Sequence, residues 1–427
     1  MSSYDLVIVG SGPSGMGAAF AALKMKPILS ILIIDREKVS TGGMRNDCKM
    51  NFTYPIGFPE EYWTRSQAEH YLDEVIEFLN PDFLEKRNID VYKKRAQRLG
   101  CDLLEIKQTH LGTDGGIKLI KELLARLDGA GVDLALGETV QGVNKEKRFV
   151  TTDKRQIGYK KLLIAPGRKG FNFLQEIMNS LEIPFVDNIV DIGIRIETRL
   201  EHYPIVRDYY DPKFYFPEKV RTFCTNSGNA HVVRERYATS RGDIWYSVNG
   251  HAFAADPAKD NGLVNFALLR TVRFTAPLAS GQAFAEHLGL QAALMGGGKP
   301  LMQRVGDFRL GSRSKEETFT GDLYDFEPTL KSATPGDISL AIPAKILRSI
   351  WQAMKNLDTI VPGVLHPSTI MYYPEIKLYA NKPRYLDDTF RVADDVWFAG
   401  DGAGTSRGIT GAWASGIRAS QGMLKGL

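Results

Sequence analysis

The first thirty-six residues constrain the chain most strongly. Tyr4–Gly10 (YDLVIVG) is an apolar, β-branched run ending at glycine, the pattern of a strand buried on both faces of a parallel sheet. Gly10-Ser11-Gly12-Pro13-Ser14-Gly15 follows as a G-x-G-x-x-G turn, and Met16–Lys24, rich in Ala, Leu and Met, reads as a helix. A second apolar run, Ile28–Ile34, ends at Asp35, twenty residues beyond Gly15. Each piece has a physical role at a dinucleotide. Gly10 permits the tight turn, Gly12 lets backbone approach a pyrophosphate, and Gly15 lets helix pack on strand. Pro13 and Ser14 open the helix, whose unpaired N–H groups and positive dipole end would face the phosphates. Asp35 can accept hydrogen bonds from a ribose diol. The alternative is a glycine-rich strand–helix turn with no ligand.

At 427 residues the chain is long enough for two or three domains. Its 43% hydrophobic and 24% charged content is that of an ordinary globular protein, not a disordered one. The net charge of +4 comes without a Lys/Arg-rich block and gives little support to a nucleic-acid or anionic partner. The three cysteines, Cys48, Cys101 and Cys224, form no C-x-x-C, which argues against a disulfide scaffold or a zinc site and suits a reducing compartment. No metal is expected. The first strand begins almost at Met1, so no signal peptide is expected, and no apolar run reaches the roughly 18–20 residues of a membrane span. A cytoplasmic protein is the expectation.

Beyond Asp35-Arg36-Glu37, the stretch Ser40–Lys49 contains the adjacent pair Gly42-Gly43, suited to backbone passing close to a ligand or to an ordinary loop turn. Ser66 with Glu69 reads as a capping box, followed at helical spacing by Ala68, Leu72, Val75, Ile76 and Leu79. A second amphipathic helix runs from Thr113-Asp114 to Gly129. Short strands at Val132–Leu136, Glu138–Val143, Arg148–Thr152 and Tyr159–Ile164 then read as a meander returning to the parallel sheet. From 188 to 340 strand-like alternation appears at Asp191–Thr198, Arg221–Thr225, His231–Arg236 and Asp243–Val248, with aromatics at Tyr209, Tyr210, Phe214, Tyr215 and Phe216. Pro343–Leu357 is helical again. A last strand, Asp395–Gly400, runs into Asp401-Gly402-Ala403-Gly404 and a closing helix, Ile409–Leu424.

Taken together, the Gly10–Gly15 turn, the Leu162–Gly167 strand and turn, and the terminal F-A-G-D-G-A-G resemble FAD-dependent oxidoreductases of the glutathione-reductase-like superfamily. More narrowly, the chain is similar to a poorly characterised group called FAD-dependent dehydrogenases. That likeness rests on N-D-C-K-M-N-F-T-Y-P-I-G-F-P (46–59), D-I-G-I-R-I-E (191–197), V-R-T-F-C (220–224), M-G-G-G-K-P-L (295–301) and A-T-P-G-D-I-S-L (333–340). The resemblance implies that Asp401, after Gly400, contacts the ribityl–pyrophosphate part of FAD. It implies too that the helix opening at Gly408, Ile409 and Thr410 points at the flavin. Gly42, Gly43 and Met44 would line the pyrophosphate or ribityl chain, Ala165 and Gly167 the second strand end, Arg36 would lie near adenine, and Val140 would meet adenine through its backbone. Disulfide reductases of the superfamily carry two cysteines four residues apart after their paired glycines. This chain has only Cys48 there, which argues against a dithiol relay.

The expected fold class is α/β: a discontinuous Rossmann-like FAD-binding domain (1–57, 109–187 and 341–427), a helical insertion (58–108), and a mixed α+β substrate domain (188–340). With FAD as cofactor, the expected reaction is hydride transfer between flavin N5 and an organic small molecule, by desaturation or ene-type reduction. No second G-x-G-x-x-G lies between a strand and a helix, so NAD(P)H as an external electron donor would have to bind without that fold. Candidate proton-handling or substrate-binding groups are Lys49 after the paired glycines, His251 in Val248-Asn249-Gly250-His251, read as a glycine-flanked loop, and Arg407 before the last helix. For each, a surface, packing or salt-bridge role is the competing reading. Arginines such as Arg195, Arg221, Arg234 and Arg304 would suit an anionic substrate. A flavin monooxygenase is one alternative. An RNA-binding or tRNA-modifying flavoprotein is another, against which the lack of a basic, aromatic-interleaved stretch counts. Substrate, reaction direction and oligomeric state are not readable from the sequence.

Overall fold

The structure, a computed structural model, describes residues 2–39, 42–239, 241–252, 260–320, 326–378 and 380–425. The chain divides into two compact units. Met1–Phe83, Ile106–Asp187 and Tyr379–Leu427 form the first, and Leu84–Glu105 with Asn188–Leu378 form the second.

The first unit is built on a parallel sheet, as its apolar runs require. Strand β1 (Ser2–Val9) is central and leads through helix α1 (Pro13–Met25) to β2 (Ile31–Asp35). The strand Asp133–Leu136 lies outside β2, while Gln156–Ile164 and then Val396–Phe398 lie on the other side of β1, all in parallel. The hairpin Val140–Asn144/Phe149–Thr152 pairs antiparallel with the start of Gln156–Ile164. Leu6, Val7, Ile8, Leu32, Ile33, Leu163 and Ile164 are almost wholly buried, which is why these strands read as continuous apolar runs rather than alternating ones. The second strand starts at Ile31, not Ile28, which stands 96% exposed in the preceding turn.

Helix α1 buries small residues on two sides: Gly15 faces the β1 turn, where a Cβ would meet Gly10 and Ile8, and Gly17 faces the C-terminal helix. That helix, Ile409–Leu424, packs along α1. A Cβ at Gly17 would fall 2.6 Å from the Trp413 carbonyl oxygen, and one at Gly416 only 1.9 Å from the Ser14 carbonyl oxygen. The helices therefore touch backbone to backbone.

Helix α2 (Gly43–Asn46), strand β3 (Lys49–Asn51) and helix α3 (Arg65–Leu79) complete the region after β2. Gly42 is the N-cap of a helical turn here; residues 40–41 lie outside the described residues. The capping box of α3 is formed by Thr64 and Gln67, not by Ser66 and Glu69. Both pairs fit the S/T-x-x-E/Q pattern; the earlier one forms, directly after Trp63, whose indole N–H donates to the Thr405 carbonyl (2.6 Å).

The second unit is organised around an antiparallel sheet. Its strands run in the order Thr334–Pro335, Leu301–Arg304, Ile370–Leu378, Ile189–Arg199, Leu263–Arg273, Val220–Gly228, Lys213–Phe216, Asp102–Leu104. Only the first pair is parallel. The helix Ala344–Ile360 packs Ile346, Ile350, Met354 and Leu357 inward, and the ribbon Ala230–Ala238/Ile244–Ala252 is separate from the sheet. The expected boundaries shift accordingly. Residues 341–378 cluster with the second unit because Ile370–Leu378 pairs with Ile189–Arg199, and 58–83 cluster with the first because α3 packs on the C-terminal helix. Tyr209 and Phe214 are fully buried, with the Tyr209 hydroxyl donating to the Leu104 carbonyl, so this aromatic stretch is core rather than an open cavity wall. Among the described residues, no helix is long and apolar enough to cross a membrane.

Candidate functional site

The four central parallel strands end at one edge. Val9 is in register with Ile34 and with Ile164, and Ile164 with Phe398. From β1 the chain proceeds to β2 on one side and later fills the other side with Gln156–Ile164, so the sheet changes direction beside β1. A crevice outside the carboxyl ends of strands at such a switch point is where open α/β sheets bind ligands.

Four turns meet at this edge. The first is Gly10–Gly15. Gly10 has φ +110°, and a Cβ there would fall 2.2 Å from the Ala165 carbonyl oxygen, while a Cβ at Gly15 would fall 1.9 Å from the Gly10 carbonyl oxygen. Gly12 is the N-cap of α1, with Pro13 and Ser14 beginning the helix and no side chain capping its amides. The first-turn N–H groups are thus presented at the strand edge, as an anion cradle requires. The second turn holds Asp35, which takes the Ser11 N–H at 2.7 Å and the Ser11 hydroxyl at 2.8 Å on one oxygen, and the Glu37 N–H at 2.9 Å on the other. The acid therefore braces the glycine turn itself. Ser11, not singled out in the sequence, makes that link; a hydroxyl between the first two glycines was the available signal. Arg36 is exposed and 3.7 Å from Glu37. Gly137 and Glu138 donate to the Asp35 carbonyl, which brings Val140, buried in its hairpin, close in sequence to this corner.

The third turn, Ala165-Pro166-Gly167, extends the Gln156–Ile164 strand; Ala165 N–H donates to Val9 at 2.7 Å, and Gly167 has φ +66°. The fourth is Gly400–Gly408. Gly400 has φ +87°, and its amide is held by the Thr405 and Ser415 hydroxyls. The Asp401 carboxylate accepts from the Ser406 hydroxyl at 2.8 Å and from the Gly408 N–H at 2.9 Å, with the Arg168 Nε 3.8 Å away. Asp401 thereby shapes the loop that delivers the C-terminal helix. Gly408 (φ +82°) is its N-cap, with no side-chain cap, and Ile409 and Thr410 open it. We expect Asp401→Ala to remove two charge-assisted bonds worth about 1.5–3 kcal/mol each before relaxation. Increased hydrogen exchange at Gly408–Thr410, with the protein otherwise folded, is the check; unchanged exchange would contradict this role.

The stretch 42–58 packs on the start of the same helix. Gly43 lies near Ile409, the Thr410 hydroxyl donates to the Asn51 carbonyl, and Gly57 touches Arg407 and Gly411 through backbone. Met44 is fully buried and Cys48 is buried. Arg407 is exposed beside this contact. Lys49 lies in β3, which pairs with Gln108–His110, and its Nζ is 3.2 Å from Asp47, whose other oxygen is 2.6 Å from His110 Nε2. Asp47 and His110 were not apparent in the sequence, because a pairing across some sixty residues leaves no local spacing. His251 is not in a loop. It sits in the strand Ile244–Ala252 of the second unit, opposite His231, since the alternation of that stretch continues through Gly250.

No family model matches the chain. An uncharacterized protein of Methanosarcina barkeri (strain Fusaro / DSM 804) is 28% identical over 116 residues, which cover 25% of this chain and 30% of that protein. The match therefore spans under a third of that relative's length. Among solved structures, a geranylgeranyl bacteriochlorophyll reductase-like protein from Thermoplasma acidophilum is 13% identical, with 99% of this chain and 78% of that one covered and a TM-score of 0.42. The L-proline dehydrogenase from P. horikoshii is 10% identical, with 100% and 94% covered and a TM-score of 0.42. The p-nitrophenol 4-monooxygenase PnpA from Pseudomonas putida DLL-E4 is 11% identical, with 99% and 78% covered and a TM-score of 0.40. Likenesses at this level bear on neither substrate nor reaction.

Proposed function

We propose that the first unit binds FAD and that the chain is an FAD-dependent oxidoreductase acting on an organic small molecule. One observation carries the reading. Three stretches whose sequences resemble FAD-binding motifs, Gly10–Gly15, Leu162–Gly167 and Gly400–Gly408, end at one edge of one parallel sheet. The residues fit the group. The side-chain-uncapped start of α1 suits a pyrophosphate, the Cβ-intolerant Gly10 and Gly15 fix the turn that carries it, and Asp35 keeps acceptor capacity for a ribose beyond its three bonds. The C-terminal helix, also without a side-chain cap, would present positive potential to negative charge building up on a reduced ring. FAD, when bound, supplies hydride-transfer chemistry. The chain's part is to orient it, exclude water and manage protons.

The test is the visible spectrum of the purified protein, followed by anaerobic mixing with NADH and with NADPH. A flavin spectrum is expected in the wild type and its loss in Gly12→Val, whose side chain would stand where a phosphate must approach. Rapid bleaching by one nucleotide identifies the donor; oxygen incorporated into a product would make the enzyme a monooxygenase. A bound flavin unchanged by either points to a substrate that itself supplies the electrons. Protein that never holds FAD, even on reconstitution, overturns the proposal.

A further inference from the structure

Three ionisable side chains lie together on the ribbon fastened to the C-terminal helix. Asp47 Oδ1 is 2.6 Å from His110 Nε2 and Oδ2 is 3.2 Å from Lys49 Nζ, and the three side chains are only 12%, 15% and 10% exposed. Lys49 and His110 are cross-strand partners, two residues along the ribbon from Asn51, whose carbonyl takes the Thr410 hydroxyl. At a rise of about 3.3 Å per residue, the cluster stands roughly 7 Å along the ribbon from the first turn of that helix. The three side chains are largely withdrawn from water, in a stretch whose chain neighbours Met44, Cys48 and Met50 are core residues. Removing such charges from water costs more than a well-packed apolar trio would, so stability alone is a poor reason for them.

Resting on the FAD reading, we propose that His110, oriented by Asp47 and Lys49, is the proton-exchanging group of this site. Asp47 is desolvated, which opposes ionisation, but Lys49 and His110 outweigh that and hold its carboxyl well below the usual range, so it stays a carboxylate. A carboxylate 2.6 Å from one ring nitrogen fixes the orientation of the imidazole, leaving the proton traffic to the ring. In the oxidising direction the substrate gives up a hydride, two electrons and one proton, to FAD. Its remaining proton passes to neutral His110, which becomes imidazolium; the return step releases that proton. The other ionisable groups on the elements packed here do not compete. Arg45, Asp114, Lys118 and Arg407 are exposed, the first turn of the C-terminal helix has no acidic residue, and burial with the nearby Asp47 charge pushes the Cys48 thiol up to about 12, so it stays neutral.

The experiment counts protons taken up per flavin reduced, using dithionite titration with an indicator dye in weakly buffered anaerobic solution from pH 5 to 9. Because negative charge gained by the flavin on reduction favours a proton on a nearby imidazole, uptake in His110→Gln should fall by as much as a full proton per flavin, with FAD content unchanged. Asp47→Asn removes the carboxylate that orients the ring and should lower the uptake in the same direction, with FAD content unchanged. Wild-type uptake in His110→Gln with FAD bound overturns the inference. Should that variant not fold, wild-type uptake in Asp47→Asn with FAD bound overturns it equally. Absence of FAD from the wild type would instead refute the cofactor reading.

Discussion

Glu375→Gln is expected to destabilise the second unit by about 3–5 kcal/mol, the usual cost of stripping one partner from a buried ion pair. Arg195 and Glu375 are both completely buried, and they meet side by side at 2.6 Å (Nε to Oε2) and 2.7 Å (Nη2 to Oε1). Lys377 is 3.2 Å from the same carboxylate and 9% exposed. Glutamine fills the same volume but leaves two cations without their shared counter-charge. Arg195 also donates to the Cys224 carbonyl and to Asn265 Oδ1, which both keep Asn226 Nδ2 as a second donor; the main cost of Arg195→Met, of similar size, is the buried Glu375 carboxylate stripped of its two-point partner. Because each single variant strands the other charge, the double variant Arg195→Met/Glu375→Gln should lose less than the sum of the two. Denaturant unfolding read by hydrogen exchange in Ile189–Arg199 is the measurement. Additive losses, or a Glu375→Gln effect under 1 kcal/mol, would mean that the pair is not the structural unit its geometry suggests.

That network also shows where reading the sequence ran out. D-I-G-I-R-I-E announces a strand, yet nothing in it says that Arg195 and Glu197 face inward. Their partners come from Ile370–Leu378, almost two hundred residues on, and from Thr329. The parallel sheet of the first unit was legible for the opposite reason. Its strands are buried on both faces, so the end of β1, most of β2 and Val396–Phe398 stand out as apolar runs, and glycine turns follow the first and last of these. The closing helix Ile409–Leu424 was readable to the residue, since Gly408 marks its start. His251 was misplaced because a glycine beside a histidine looks like a loop, whereas Gly250 is there for space. A Cβ would lie 2.1 Å from Asn265 Oδ1 and 2.3 Å from Arg195 Nη1. The Asp47–Lys49–His110 cluster was half visible, through Lys49 alone.

Gly416→Ala should be among the most damaging single-methyl additions in the first unit. The Cβ would stand 1.9 Å from the Ser14 carbonyl oxygen and 2.9 Å from the Ala18 nitrogen. Both are backbone atoms of α1, so no rotamer change relieves the clash and one helix must move off the other. Overpacking of this kind costs about 1–3 kcal/mol, a fall in Tm of roughly 2–12 °C in a unit of this size. The consequence reaches the site because Ser14 belongs to the first turn of α1, where the uncapped amides face the strand edge. On the proposed reading, FAD affinity should fall at least about tenfold, equivalent to 1.4 kcal/mol. Gly129→Ala is the matched control: it also lies in a helix, but a Cβ there meets nothing within 4 Å. It should leave the stability within about 1 kcal/mol of wild type and leave flavin retention alone. If Gly416→Ala matched that control in both measurements, the close crossing of α1 on the C-terminal helix would not be what holds the glycine turn in place. The fixed geometry of the turn would then have to come from Asp35 and Ser11 alone.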